Sequence, residues 1–170
     1  VTAEHLAAQA LAEAEALAGA AVGVLRAMCE GLDWDYGALW NAGITTDVVH
    51  PSHEWSGYQL VLVPSLYLVS DATAEALTRY VETGGHLLVS YFSGIVDTDD
   101  AIRLGGYPGA FRDLLGVRVE EFRPLAEELE LDDGSVASLW SEDLRLEGAE
   151  AVISFADGRP AVTRHAYGEG

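Results

Sequence analysis

Lysine is absent from all 170 residues, and cysteine and methionine each occur once. The basic complement is therefore nine arginines facing 28 acidic residues, a formal net charge of −19. A surface so acidic repels a phosphate backbone, so nucleic acid is not an expected partner. Cys29, alone, excludes an intrachain disulfide and any paired-cysteine metal or redox pattern, and points to a reducing, cytoplasmic setting. Long apolar runs are missing too: the longest, Leu60 to Val69, is broken by Pro64 and Ser65. It is far short of the roughly 20 residues that cross a bilayer. Val1 to Gly19 lacks a basic start and is interrupted by Glu4, Glu13 and Glu15, unlike a secretory signal. A soluble chain with no membrane partner is expected. Leu104-Gly105-Gly106-Tyr107 lacks both the glycine spacing of a nucleotide fingerprint and the lysine of a P-loop, so no cofactor is expected.

What is present reads as one α/β domain over residues 1–170, too short for a barrel enzyme. Residues 1–33 form a helical N-terminal segment, 34–125 the α/β core, and 126–170 a β-rich flank whose pattern is still running at Gly170, as at a boundary inside a longer protein. Residues 3–18, rich in Ala, Leu and Glu, predict a helix with Thr2 to cap it and Gly19 to stop it. Ala20 to Leu25 reads as a short strand, and Asp33 to Ala42 as a second helix. Strands are expected at 44–50 and 58–63 and again at 86–92. Between the last two lies a helix capped by Ser70 or Asp71, stopped at Gly84, with a buried stripe of Ala72, Ala76, Leu77, Tyr80 and Val81. Apolar strands alternating with helices imply a mostly parallel sheet covered on both faces, a three-layer arrangement. A short helix over Pro108 to Leu115 and a strand at 117–122 follow, and the turn signals Asp132 to Gly134 and Asp157-Gly158 predict antiparallel hairpins at the C-terminus.

Candidate chemistry is sparse. Glycoside hydrolysis needs two carboxyl groups flanking the scissile bond, about 5 to 5.5 Å apart for retention. With 28 acids some pair lies close by chance, so no catalytic residue is assigned. Asp97, Asp99 and Asp100 suit either a solvated loop or a hard cation. His50 and His53 make a metal pair only if other ligands join them, and no metal site is assigned. Ser93 follows a strand as a hydrolase nucleophile does but lacks the Gly-x-Ser-x-Gly frame, leaving a stand-alone amidotransferase-like hydrolase as an alternative. Tyr91, Phe92, Arg103, Tyr107 and Phe111 gather at the crevice end of the sheet. There they suit local packing, a subunit interface or contact with a small sugar.

Gly57 to Leu125 resembles the trimerisation domain of glycoside hydrolase family 42 β-galactosidases. The most specific parts are Ser90-Tyr91-Phe92-Ser93-Gly94-Ile95-Val96-Asp97 and Leu104-Gly105-Gly106-Tyr107-Pro108-Gly109. Trp140-Ser141-Glu142-Asp143-Leu144 and Pro160-Ala161-Val162-Thr163-Arg164-His165 extend the likeness, which runs from about Trp34 to the end. The resemblance implies a flavodoxin-like, class I glutamine amidotransferase-like fold. It implies partners in a catalytic (β/α)8 barrel on the same polypeptide and in the neighbouring subunits of a homotrimer. It also implies retaining cleavage of terminal β-D-galactosides by glutamates on that barrel, so no position here inherits a catalytic role. The first third departs from the family's pattern, where an apolar strand opens the domain, and leaves the presence of that strand open.

Overall fold

The structure, a computed structural model, describes residues 22–25 and 39–170. The helix expected over 3–18 and Cys29 lie outside the described residues. So does most of the helix expected over Asp33 to Ala42, of which 39–41 are helical. Strand β1 spans Val22–Leu25, β2 Thr46–Val49, β3 Leu60–Val63 and β4 His86–Val89, with helix α1, Asp71–Glu82, between the last two. These strands form one parallel sheet in the order β2-β1-β3-β4. The strand left open by the sequence is therefore present and central: β1 pairs with β2 from Val22↔Thr46 to Leu25↔Val49, and with β3 from Val22↔Leu60 to Val24↔Leu62.

β3 is buried along its whole length, which is why Leu60 to Val63 carries no polar alternation. Its neighbour β4 is only partly buried. α1 begins where the Ser70 side chain accepts the Thr73 backbone N–H at 3.1 Å, satisfying one of the donors a helix start leaves orphaned. It ends at Thr83 and Gly84, where φ is +97°. Its buried stripe is Ala74, Leu77, Tyr80 and Val81, packed with Val61 and Val63 of β3. Ala72, expected inside, is exposed and Ala76 only half-buried, because Ala74 and not Ala72 lies three residues before Leu77 on that face. Burial of the Leu77 side chain alone stabilises by about 2 kcal/mol.

Beyond β4 the order changes. After the one-turn helix α2, Arg112–Leu115, the remaining strands are β5 (Val117–Pro124), β6 (Leu129–Glu130), β7 (Val136–Ala137), β8 (Trp140–Leu146), β9 (Glu150–Ser154) and β10 (Pro160–Arg164). They pair antiparallel as β5-β8, β6-β7 and β9-β10, three two-stranded sheets. The expected mostly parallel, three-layer flavodoxin-like arrangement is therefore corrected. Among the named strands parallel pairing is confined to one sheet of four, and apart from the helical residues 39–41 the described helices are one of twelve residues and one of four. The physical reason lies in the connections, since short strands joined at Asp-Gly turns close hairpins and leave no length for a crossover helix. Leu131, Ala137, Ile153 and Phe155 form a small separate core under those hairpins.

Candidate functional site

β4 ends at Val89, earlier than the expected 92, because the chain turns through Phe92 at a φ of +57°. That turn brings Phe92 against two rings that come from the antiparallel ladder. Phe122 on β5 stacks on it at 5.3 Å between centroids and 8° between planes, and Trp140 on β8 lies 4.7 Å away. Tyr91 meets the edge of Phe92 at 5.7 Å, and Tyr107 approaches Phe122 at 5.0 Å. Phe122 is the register partner of Glu142, and Glu142 lies two residues from Trp140 on the same face of β8. The Phe92 backbone N–H donates to the Glu142 carboxylate at 3.4 Å.

A cavity of about 540 Å³ opens between β4 and the flank, lined by Leu87, Val89, Phe92, Trp140, Glu142 and Val162 among others. Glu142 is the one carboxylate on that wall among the described residues. Burial pushes its carboxyl above the usual range, and the Phe92 N–H only partly offsets this. A single carboxyl group does not make the flanking pair that glycoside hydrolysis requires.

The next residue on β8 faces the other way and meets the opposite environment. Asp143 accepts from the Arg123 Nε at 2.5 Å and from the Arg159 Nη1 at 2.5 Å. Burial alone would raise its carboxyl, but the hydrogen bonds and charges of the two arginines outweigh burial and hold it below the ordinary carboxylate range. Arg159 also reaches Asp157 at 2.7 Å and lies over the Phe155 ring at 4.9 Å.

Of the five residues expected at the crevice, Tyr91, Phe92 and Tyr107 come together, and Arg103 and Phe111 do not join them. Arg103 folds back onto α1, donating to Asp71 at 2.6 Å and to the Val69 carbonyl at 2.6 Å. Phe111 is fully buried, against Gly94, where a β-carbon would sit 2.9 Å from its ring. Phe122, Trp140 and Glu142 were missed as site residues, although Trp140-Ser141-Glu142 lies within a stretch that resembles the family. The alternation of a strand puts Trp140 and Glu142 on one face, but nothing local reveals that Phe122 is opposite.

The other candidates are structural in their contacts. Ser93 is buried, accepting the Leu66 N–H at 3.0 Å and donating to the Val63 carbonyl, so its hydroxyl bridges two backbone segments. The Asp97 carboxylate accepts the backbone N–H groups of Ala101 and Asp99, which lower its pKa and shape the loop. The His50 ring bonds Ser52 at 2.8 Å, and no group of three metal ligands occurs among the described residues. His165 is seated against Leu114, whose carbonyl is 3.0 Å from its Nδ1.

Fold and site together define a mixed α/β domain with an aromatic-lined cavity and, among the described residues, no paired catalytic acids in it. Family comparison places it further: the chain belongs to the β-galactosidase trimerisation domain family, whose pattern matches residues 23–170. A β-galactosidase of an Arthrobacter species is 52% identical over 139 residues, covering 78% of this chain and 20% of the relative. The β-galactosidase BgaB of a Geobacillus species is 44% identical over 144 residues, covering 79% of this chain and 21% of the relative. The chain thus spans about a fifth of the length of these curated relatives. Among solved structures, a β-galactosidase from Bacillus circulans sp. alkalophilus aligns with a TM-score of 0.79 at 28% identity, over 88% of this chain and 27% of that one. Gan42B, a family 42 β-galactosidase, aligns at 0.77 and 27% identity, over 88% and 26%.

Proposed function

We propose that this chain is the assembly domain of a retaining β-galactosidase that hydrolyses terminal β-D-galactosides, and that it is itself non-catalytic. The observation that carries the reading is the family match over residues 23–170 in a chain about a fifth as long as relatives named β-galactosidases. The site chemistry agrees with it, because Glu142 stands without a second carboxylate on the cavity wall among the described residues. In this reading the catalytic pair resides on a barrel domain of the same polypeptide, and this domain contacts neighbouring subunits of a homotrimer in the cytoplasm. The aromatic loop from Tyr91 to Tyr107 belongs to the surface that meets those partners.

The test is a chromogenic β-galactoside assay on the chain alone, followed by sedimentation of the longer β-galactosidase that carries it. No turnover by the chain and a trimer for the longer enzyme are expected. Turnover by the chain alone, or a monomeric longer enzyme, would overturn the reading.

A further inference from the structure

We infer that Ile102 and Leu104 are apolar anchors by which this domain meets a neighbouring subunit of the longer enzyme, seated in an apolar recess whose rim carries arginine or lysine. The inference rests on the assembly reading above and names one contact within it. The loop is turned inside out. Arg103 folds inward, its guanidinium donating to the Asp71 carboxylate and to the Val69 carbonyl, while its two apolar neighbours face solvent, Ile102 62% and Leu104 98% exposed. Isolated β-bridges set Val96 between Leu68 and Ile102, and Leu68 is itself exposed, so the apolar surface extends past the loop. The presentation is built, not frayed. The Asp97 carboxylate accepts the Asp99 and Ala101 N–H groups, the Ala101 carbonyl accepts the Asp97 N–H at 3.0 Å, and beyond Leu104 the Gly105 carbonyl accepts from Arg112. Gly109 lies against Arg103, where a β-carbon would stand 2.6 Å from the arginine's own. Anchors held ready in this way lose little freedom on docking, and burial removes their apolar surface from water.

Charge decides what covers them. Asp99 and Asp100 precede the anchors, both exposed, and neither enters an ion pair among the described residues. Six of the nine arginines pair with acids of the chain itself, and there is no lysine. Two copies of this face therefore repel each other, which disfavours the like-with-like pairing of a twofold contact. The contact is instead heterologous, one face against a different one, and such contacts repeat around a closed ring as a trimer requires. A basic rim on the receiving face complements the aspartates and fixes register, and its apolar floor takes Ile102 and Leu104. A small ligand finds no hold on them, since neither residue lines the cavity beside β4.

The test is sedimentation of the longer β-galactosidase over a range of concentrations, with Leu104→Ser and Ile102→Ser beside the unmodified enzyme, and thermal melting of the 170-residue chain carrying the same changes. The concentration at which half the trimer dissociates is expected to rise about tenfold in Leu104→Ser, less in Ile102→Ser, and not at all in Leu104→Met, while the melting temperature of the chain stays where it was. Raised ionic strength should weaken the trimer, and the double change Asp99→Asn with Asp100→Asn should flatten that dependence. A trimer undiminished in both serine variants overturns the inference, and so does a salt dependence that the asparagine changes leave untouched. A trimer that persists while the longer enzyme melts earlier in Leu104→Ser gives the anchors to the enzyme's own barrel. Self-association of the chain alone, abolished by Leu104→Ser, gives them to a second copy of the same face; either result overturns the inference. If the serine variants fail to fold, the salt series on the unmodified and asparagine enzymes still decides. An unmodified enzyme that is trimeric but indifferent to these changes overturns this contact alone; a monomeric one overturns the assembly reading and the contact with it.

Discussion

The two faces of β8 put adjacent carboxylates into opposite surroundings. Asp143 is clamped between Arg123 and Arg159 within its own domain, and Glu142 sits on the cavity side among Phe92, Phe122 and Trp140. Their protons respond in opposite directions, Asp143 downward and Glu142 upward. Sequence neighbours one residue apart thus differ in purpose because a strand sends alternate side chains to opposite sides. The clamped face holds the flank together, and the other face lines the cavity.

The most damaging way to disturb this arrangement is at the joint where the ladder is anchored. Gly116 has a φ of +61°, its carbonyl accepts the Glu147 and Ala149 N–H groups, and an added β-carbon would lie 2.7 Å from His165 and 2.8 Å from the Ala149 nitrogen. Gly116→Ala is expected to destabilise by about 3 kcal/mol, through left-handed strain and overlap with backbone, as read by urea unfolding. Less severe is Asp143→Asn, which leaves two arginines without their shared anion. A loss of about 2 kcal/mol in the same experiment is expected, and an unchanged midpoint would mean the clamp is only a surface ornament.

The pH dependence sharpens the contrast. Because the folded Asp143 carboxyl is depressed, its contribution is present above its unfolded value near 3.8 and fades as pH falls through the lower folded value. Thermal unfolding at descending pH should show acid loss that is smaller in Asp143→Asn. Smaller again is Phe92→Ala, which removes one ring from the stack but leaves the ladder intact. A cost of about 1.5 kcal/mol is expected by thermal melting. Glu142→Gln closes the series with no loss at neutral pH and a slight gain. Its folded pKa is raised above the ordinary 4.5, so its favourable contribution belongs to acid conditions and is lost as pH rises through the folded value. A clear loss of stability at pH 7 would place Glu142 among the groups that hold the domain together.

Much of the α/β half was legible in the residues themselves. The apolar run at Leu60 to Val63, the Ser70 cap and the Gly84 stop are local signals, and each sits where such a signal should. The Asp132 to Gly134 and Asp157-Gly158 turns likewise join β6 to β7 and β9 to β10. The pairing of β5 with β8 was not legible, since its partners run from Val117↔Leu146 to Pro124↔Trp140 with a register shift between Val119 and Glu121. Register over that separation depends on tertiary packing, not on local pattern. The same ignorance hid Phe122 and Glu142 from the candidate site, and let Arg103 and Phe111 into it on residue type alone. β1 was obscured for a different reason: four residues, Val-Gly-Val-Leu, are too few to show a period.

Urea unfolding at pH 7 of Glu142→Gln beside Asp143→Asn tests the contrast between the two faces most directly. The account predicts that Asp143→Asn lowers the unfolding midpoint while Glu142→Gln leaves it unchanged or slightly raised. A lowered midpoint in Glu142→Gln, or an unchanged one in Asp143→Asn, would contradict it.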